Sequence, residues 1–363
     1  MGFDSFLGNT KAVAAVREML ASGRVPGALL FAGPDGVGKK TLALMLAKAM
    51  VCREGTGDFC DACDRCRKAE EMFNAAREDL ARRREIKEAA RRVEGLVYFD
   101  LQLIEPLTRF ILTEQVRQLR NVAYTRPFEF PQRVFILNEA QAIHWQAVDI
   151  LLKVLEEPPD TTTVILVCPN AYELRATIRS RCLRIPFQPV EESLILNLLA
   201  KERRLTKSQQ ELAARVAAGS VVQAKTFDPA DYEHRRKPWV DFLEAVAGQA
   251  GGITTPPDWQ LLFDSTKALT ENHDDLEDTL RIGYSLLRDL LQALSDGSEK
   301  EVVNVDLLRQ LKSWASQLGL AGIEKLKAGL DQAYRLQVRN VNQQLGLEML
   351  GIELITGPRP ESA

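Results

Sequence analysis

The sequence has no long apolar run, few cysteines and histidines, and no excess of charge of one sign. A membrane-spanning helix needs roughly 18 apolar residues, and no stretch approaches that length. The segment Met1–Lys11 lacks the basic start and apolar run of a signal peptide. The 47 Lys and Arg nearly balance the 50 Asp and Glu, which argues against a protein that coats nucleic acid through general positive charge. We therefore expect a globular, cytoplasmic protein whose 363 residues form two or three domains and make no membrane contact.

Six cysteines are too few for a disulfide scaffold, but four of them lie close together. Cys52, Cys60, Cys63 and Cys66 follow the pattern C-x7-C-x2-C-x2-C. Thiolates two residues apart on a tight turn can converge on one ion, and four of them leave no open coordination position. The pattern predicts a structural zinc site. Reduced surface thiols and an iron–sulfur cluster are the alternatives. The three histidines are scattered and suggest no hydrolytic triad.

The first half alternates strand-like and helix-like segments. The apolar run Ala28–Ala32 precedes a glycine-rich turn and a helical segment, and further strands are predicted at Val97–Ile104, Val134–Leu137 and Val164–Cys168. Helices are predicted between them, including Thr113–Ala123 and Trp145–Glu156. This alternation indicates an α/β domain with a parallel sheet. After about Pro186 the sequence becomes helical, with a loop predicted at Gly248–Pro257 and a weaker break near Pro238.

The turn after the first strand has the spacing of a phosphate-binding loop. Its glycines let backbone N–H groups surround phosphate oxygens, and its lysine adds a positive charge at the start of a helix. An active P-loop carries Ser or Thr directly after the lysine, because that hydroxyl binds Mg²⁺. Here Lys40 occupies this position, and Thr41 is rotated by about 100° along the helix. The candidate nucleotide-binding residues of this turn are Gly33, Gly36, Gly38, Lys39, Lys40 and Thr41.

The predicted strand that ends at Leu137 departs from the active pattern as well. An ATPase carries an acidic pair at this point, whereas this chain has Asn138 and Glu139. An amide supplies no negative charge for a metal, although Glu139 could orient a water molecule. These two changes favour a degenerate ATPase and leave open whether ATP or ADP is held passively.

Several segments together resemble bacterial DNA polymerase III clamp-loader subunits of the AAA+ class. These segments are FDSFLGNTKAV, SGRVPGALLFAGPDGVGKKTLA, the four-cysteine cluster, DILLKVLEEPP (Asp149–Pro159), IRSRCLRIPF (Ile178–Phe187) and the tail Gln337–Leu354. The resemblance implies an AAA+ α/β domain over residues 1–187, with a zinc knuckle at 52–66 and a charged helical insertion at 67–94. It also implies a helical lid at 188–236 and a helical collar at 237–363.

Within this family, the altered P-loop and Asn138 are similar to the delta-prime branch rather than to the gamma/tau motors. Val222 stands where active relatives carry a sensor arginine, and Gly27 where a histidine is common. The resemblance implies that Arg181 is an arginine finger, which acts on the ATP of a neighbouring subunit. We expect little intrinsic catalysis from the chain itself.

The expected function is therefore a delta-prime-like subunit that helps to load a sliding clamp on primed DNA during replication. Its implied partners are the gamma/tau and delta subunits of a hetero-oligomeric ring, the clamp, and DNA through the assembled complex. Two alternatives stay open. One is a gamma/tau-like motor that hydrolyses ATP with Lys39, Thr41 and Glu139. The other is a zinc-containing nucleic-acid-binding protein with an inert P-loop fold, which uses Arg82–Arg84.

Overall fold

Five parallel strands form one sheet in the order β2-β3-β4-β1-β5. The computed structural model describes residues 2–55, 57–202, 204–247, 257–271, 276–295, 302–336 and 343–356. The strands are β1 (Ala28–Ala32), β2 (Leu101–Ile104), β3 (Arg133–Leu137), β4 (Thr162–Cys168) and β5 (Leu183–Pro186). The predicted α/β domain with a parallel sheet and a P-loop is confirmed.

The helices of the first half cover both faces of this sheet. Leu29 and Phe31 of β1 pack on one face with the first helices, whereas Leu30 packs on the other face. Buried strands with apolar residues on both faces are typical of parallel sheets. These helices are α1 (Thr10–Ala21), α2 (Lys39–Val51), α3 (Asp64–Glu85), α4 (Thr113–Ala123), α5 (Val148–Glu156) and α6 (Ala176–Arg179). Two further helices, α7 (Glu192–Glu202) and α9 (Val221–Thr226), come after the last strand.

The strands differ from the prediction in two places. The strand predicted at Val97–Ile104 begins only at Leu101. The Asp100 side chain accepts hydrogen bonds from the backbone N–H groups of Phe128, Glu129 and Phe130, and this loop contact precedes the sheet pairing. The strand β5 was not predicted, because it lies at the edge of the sheet and has only Ile185 buried.

The described chain divides into two units, which are Met1–Leu198 with Ala217–Lys225 and Leu199–Val216 with Thr226–Ala363. The second unit is helical. Its core contains Trp239, Phe242, Leu290, Trp314 and Leu330. Its helices are α8 (Lys207–Val216), α10 (Pro229–Ala247), α11 (Trp259–Thr270), α12 (Leu276–Leu294), α13 (Leu308–Leu336) and α14 (Gln343–Thr356).

The break expected near Pro238 is wrong, since α10 continues through this residue. Arg236 is buried and bonded to Asn304 and Asp306, and the Trp239 indole donates to the carbonyl of Thr279 at 2.7 Å. These contacts on both sides of Pro238 offset the one missing backbone hydrogen bond. The division into domains at 187 and 236 stays a prediction.

Parts of two other predictions lie outside the described residues. Of the loop predicted at Gly248–Pro257, residues 248–256 are outside them, as are residues 337–342 of the tail. The rest of the tail lies within α14. Among the helices in the described ranges, none is long and apolar enough to cross a membrane.

Candidate functional site

The glycine-rich turn joins β1 to α2 and holds two glycines in left-handed conformations. Gly36 has φ 74° and Gly38 has φ 98°. A Cβ on Gly36 would lie 1.8 Å from Ser220 Oγ, and one on Gly38 would lie 2.7 Å from Phe6 Cζ. Both positions therefore require glycine for conformation and for space. Gly38 is also the N-cap of α2, so the positive end of this helix begins at the turn.

A cavity of about 400 Å³ opens in front of this turn. It lies between the start of α2 and the residues that follow β3, which is where parallel α/β folds bind ligands. Of the predicted nucleotide-binding residues, the cavity is lined by Gly36, Gly38, Lys39, Lys40, Thr41, Asn138 and Glu139. Val222 lines it as well. Gly33 takes part through its carbonyl, which accepts from Lys39.

The P-loop lysine is buried against its own turn. Lys39 Nζ donates to the carbonyls of Gly33 and Pro34, the latter at 2.6 Å, and to Asp35 Oδ1 at 3.2 Å. Its side chain is only 6% exposed. The ammonium group therefore has three oxygen acceptors inside the turn.

Lys40 has a different partner, a buried carboxylate that sequence reasoning missed. Glu105 directly follows β2, and its Oε1 accepts from Lys40 Nζ at 2.6 Å and from Asn138 Nδ2 at 3.0 Å. The guanidinium of Arg84 lies 3.6 Å from the other carboxylate oxygen. An acidic residue at the carboxyl end of a buried strand was the available signal. This signal identifies Glu105 as a site residue only once β2 is known to lie beside β3.

These residues do not fit the magnesium ion that an active P-loop ATPase requires. The position of the metal-binding hydroxyl holds Lys40, whose ammonium group is fixed on Glu105. Asn138 donates its amide N–H to the same carboxylate oxygen. Glu139 is exposed and has a left-handed backbone, with φ 56°. A divalent cation placed beside Glu105 would meet an ammonium group that already neutralises the carboxylate.

The four clustered cysteines converge as the spacing predicted. All four Sγ atoms lie within 4.8 Å of one another. The Sγ–Sγ distance is 3.7 Å for Cys52–Cys60 and 3.9 Å for both Cys52–Cys63 and Cys60–Cys66. Four sulfurs that each lie 2.3 Å from one zinc ion would be separated by about 3.8 Å. These three distances match a tetrahedral zinc site, and the cluster has the ligands and the spacing to bind one zinc ion.

Backbone groups support the thiolate form of Cys63 within this cluster. The N–H of Cys63 donates to Cys60 Sγ at 3.3 Å, and the N–H of Cys66 donates to Cys63 Sγ at 3.4 Å. Burial disfavours the thiolate of Cys63, but N–H groups of Arg53 and Cys66 outweigh it and lower the pKa to about 6. Burial instead raises the pKa of Cys52 and of Cys66 in the same cluster. Outside the cluster, burial raises the pKa of Cys168 to about 11 and that of Cys182 to about 12. These two thiols are poor nucleophiles at neutral pH.

Arg181 lies away from the cavity, just after α6. Its guanidinium donates to the carbonyl of Thr177 at 2.8 Å and lies 2.5 Å from Glu156 Oε1. The side chain is 33% exposed, and Glu156 is the last residue of α5. Two motifs that are distant in sequence, LEEPP and SRC, are thus joined by one ion pair.

The family profile described as "DNA polymerase III, delta subunit" matches residues 8–191 of this chain. The chain belongs to this family. Its match covers half of the sequence and includes the P-loop turn, the cysteine cluster and Arg181. The resemblance to DNA polymerase III subunits is thereby confirmed.

Curated relatives of this chain include delta', gamma and tau subunits of DNA polymerase III. The chain is similar to DNA polymerase III subunit delta' of Bacillus subtilis, with 26% identity over 337 residues and coverage of 92% of each chain. The gamma subunit of Buchnera aphidicola is 28% identical over 54% of this chain and 48% of its own. The tau subunit of Escherichia coli is 28% identical over 61% of this chain and 32% of its own. The chain thus spans only half or less of these gamma and tau relatives.

In the charged segment 67–94, arginine side chains bond to groups of the same chain. Arg83 is buried and donates to the carbonyls of Arg92 and Glu94, both at 2.8 Å. Arg84 donates to the carbonyl of Pro106 at 2.9 Å, in addition to facing Glu105. Arg82 is the most exposed of the three, with 74% of its side chain exposed against 46% for Arg84, and it pairs with Asp79. Two of the three arginines therefore hold the end of α3 against the loops that follow it.

Proposed function

We propose that this chain is a delta-prime-like subunit of a DNA polymerase III clamp loader. In this role it scaffolds a hetero-oligomeric ring with gamma/tau and delta subunits and helps to load a sliding clamp on primed DNA. The similarity to a delta' subunit over nearly the full length of both chains supports this role. The observation that carries the proposal is the ion pair between Lys40 and Glu105. Lys40 stands at the position where a motor subunit needs a hydroxyl group to bind Mg²⁺.

Arg181 is the residue through which this subunit assists catalysis in trans. A guanidinium is always charged and planar, and it stabilises the charge that develops on the transferred phosphoryl oxygens. Arg181 is partly exposed and is held by an exposed carboxylate rather than buried in a network. Surface ion pairs of this kind contribute only about 0–1 kcal/mol, so a neighbour's triphosphate can displace Glu156.

The zinc ion has a structural role in this proposal. Cys52, Cys60, Cys63 and Cys66 would hold it in a closed shell of four sulfurs, with no position for water or substrate. Cys52 follows α2 directly and Cys63 is the N-cap of α3. The metal therefore fixes the connection between these two helices.

The test uses the reconstituted clamp loader of the same organism, with this chain or its Arg181→Ala variant at matched assembly. Clamp- and DNA-stimulated ATP turnover is measured in complexes where only the motor next to this chain is active. Loss of an arginine finger lowers turnover at that site by about 10³-fold or more. Arg175→Ala, which changes an exposed arginine beside α6, is the matched control. Unchanged turnover with Arg181→Ala would refute the trans-acting role.

The gamma/tau-like motor is the first alternative, because Lys39, Thr41 and Glu139 do line the cavity. It requires ATP turnover by the isolated chain that Lys39→Ala abolishes. The Lys40–Glu105 ion pair disfavours this outcome, since it replaces the metal site on which such turnover depends.

The nucleic-acid-binding protein is the second alternative. It requires steeply salt-dependent DNA binding by the isolated chain that is lost when Arg82–Arg84 are neutralised. The internal contacts of Arg83 and Arg84 disfavour it. Any DNA contacts of the assembled ring would be directed to phosphates and shared among subunits.

A further inference from the structure

Glu105 is a buried carboxylate with three positively polarised partners. Its side chain is 8% exposed, and its carboxylate is approached by Lys40, Asn138 and Arg84. A buried charge of this kind is retained only when it is paired and hydrogen-bonded. The pairing cation is supplied by the first turn of α2, at the edge of the 400 Å³ cavity.

Lys40 therefore places a positive charge at the sequence position where an active P-loop carries the metal-binding hydroxyl. In an active P-loop the residue after the lysine holds Mg²⁺, and the metal neutralises phosphate oxygens. Here the same residue carries the positive charge itself, and its ammonium group lies 2.6 Å from Glu105 Oε1. Its side chain remains 39% exposed, so it can contact a ligand while it stays on Glu105.

The rest of the turn keeps the features that bind phosphate. Gly36 and Gly38 retain the backbone conformations of the loop, and α2 begins at the cavity. Lys39 now donates to three oxygens of its own turn, and phosphate oxygens could replace them. Two lysines and a helix N-terminus thus face the cavity, and the two positions that hold the metal in an active P-loop ATPase carry Lys40 and Asn138.

We propose that this cavity binds the polyphosphate of a nucleotide without Mg²⁺, and that Lys40, held by Glu105, serves as the built-in cation. This site is distinct from the role of Arg181 at a neighbouring subunit. The proposal can therefore fail while the clamp-loader function holds, and the reverse is also true.

The experiment measures binding of ADP and ATPγS to the full-length chain by titration calorimetry, with Mg²⁺ and with EDTA. We expect binding in EDTA to be at least as tight as binding with Mg²⁺, because no metal takes part at the site and Mg²⁺ complexes the nucleotide in solution. In a solution that contains Mn²⁺ and ADP, the electron paramagnetic resonance signal of free Mn²⁺ should not fall further when the chain is added. Binding that is tenfold or more tighter with Mg²⁺ would overturn the proposal, as would the absence of binding of either nucleotide.

Two variants test Lys40 and Glu105 directly. Lys40→Ser removes the internal cation and restores a hydroxyl, so metal-free binding should weaken by about tenfold or more and Mg²⁺ should recover it. Lys11→Ser, on the exposed side of α1, is the matched control and should keep metal-independent binding. Glu105→Gln leaves Lys40 unneutralised and should tighten binding of the anionic nucleotide in EDTA. If Lys40→Ser leaves metal-free binding unchanged, Lys40 is not the cation. The comparison of Mg²⁺ with EDTA in the wild-type chain tests the proposal even if a variant fails to fold.

Discussion

Arg181 Nη2 lies 2.5 Å from Glu156 Oε1, and this ion pair joins the end of α5 to the segment after α6. Both side chains are partly exposed, so the pair contributes at most about 1 kcal/mol to folding. In the proposed role, this pair holds the guanidinium until a neighbour's phosphate replaces Glu156. Arg181 must leave Glu156 if it is to bind a neighbour's phosphate.

The first prediction concerns this exchange of partners. Glu156→Gln weakens the hold on Arg181 and should raise ATP turnover of the reconstituted complex at low ATP by up to about fivefold. Arg181→Ala should abolish the stimulated turnover, while urea unfolding shows a stability change below about 1 kcal/mol for both variants. Glu157→Gln is the neighbouring control. If Glu156→Gln reduces turnover as strongly as Arg181→Ala, Glu156 positions the arginine for catalysis instead of restraining it.

The second prediction concerns the buried pair of Asp100 and Arg133. Their side chains are 2% and 4% exposed, and Arg133 Nη2 lies 2.9 Å from Asp100 Oδ1. Removing one partner leaves a buried, uncompensated charge, so Asp100→Ala should lower the free energy of unfolding by about 3–5 kcal/mol. Urea unfolding measures this loss. The double variant with Arg133→Met should recover part of it, whereas strictly additive losses would mean that the charges are not coupled.

The third prediction concerns the cysteine cluster. Protein purified without chelator should contain one zinc ion per chain, and Cys63→Ser or Cys66→Ser should release it and lower thermal stability. Cys182→Ala, outside the cluster, should keep the metal. Elemental analysis of the purified proteins decides the question. Wild-type protein with well under one zinc per chain would contradict the assignment.

The fourth prediction separates backbone strain from steric overlap in the P-loop turn. Gly36 and Gly95 both have positive φ, but only a Cβ on Gly36 meets another atom, Ser220 Oγ at 1.8 Å. Gly95→Ala should cost about 1–2 kcal/mol of stability from conformation alone. Gly36→Ala should cost more and should abolish nucleotide binding. Equal losses of stability in the two variants, measured by urea unfolding, would show that the contact with Ser220 relaxes freely.

The elements that could be predicted from the sequence are those with local signals. The apolar run Ala28–Ala32, the glycines after it and the spacing of Cys60, Cys63 and Cys66 all act over a few residues, and their positions in the structure agree with the prediction. The proposed Arg181 role, by contrast, came from a family resemblance and not from a local physical signal.

What could not be predicted depends on contacts between distant segments. Glu105 bonds to Asn138, which lies 33 positions later, because β2 stands beside β3 and both end at the same edge of the sheet. The start of α2 brings Lys40, which lies 65 positions earlier than Glu105, to the same carboxylate. In the same way, α10 continues through Pro238 because Arg236 and Trp239 are held by residues from other helices. Tertiary contacts outweighed the local helix-breaking signal there.

The helix α3 contains 22 residues and therefore extends about 33 Å. Cys66 lies in its first turn and Arg84 in its last, where the guanidinium faces Glu105. One continuous helix thus carries both a sulfur of the cysteine cluster and the Arg84 guanidinium, which faces the Glu105 carboxylate. A substitution that tilts or shortens α3 alters both places at once, so the two sites are mechanically linked and are not free to change independently.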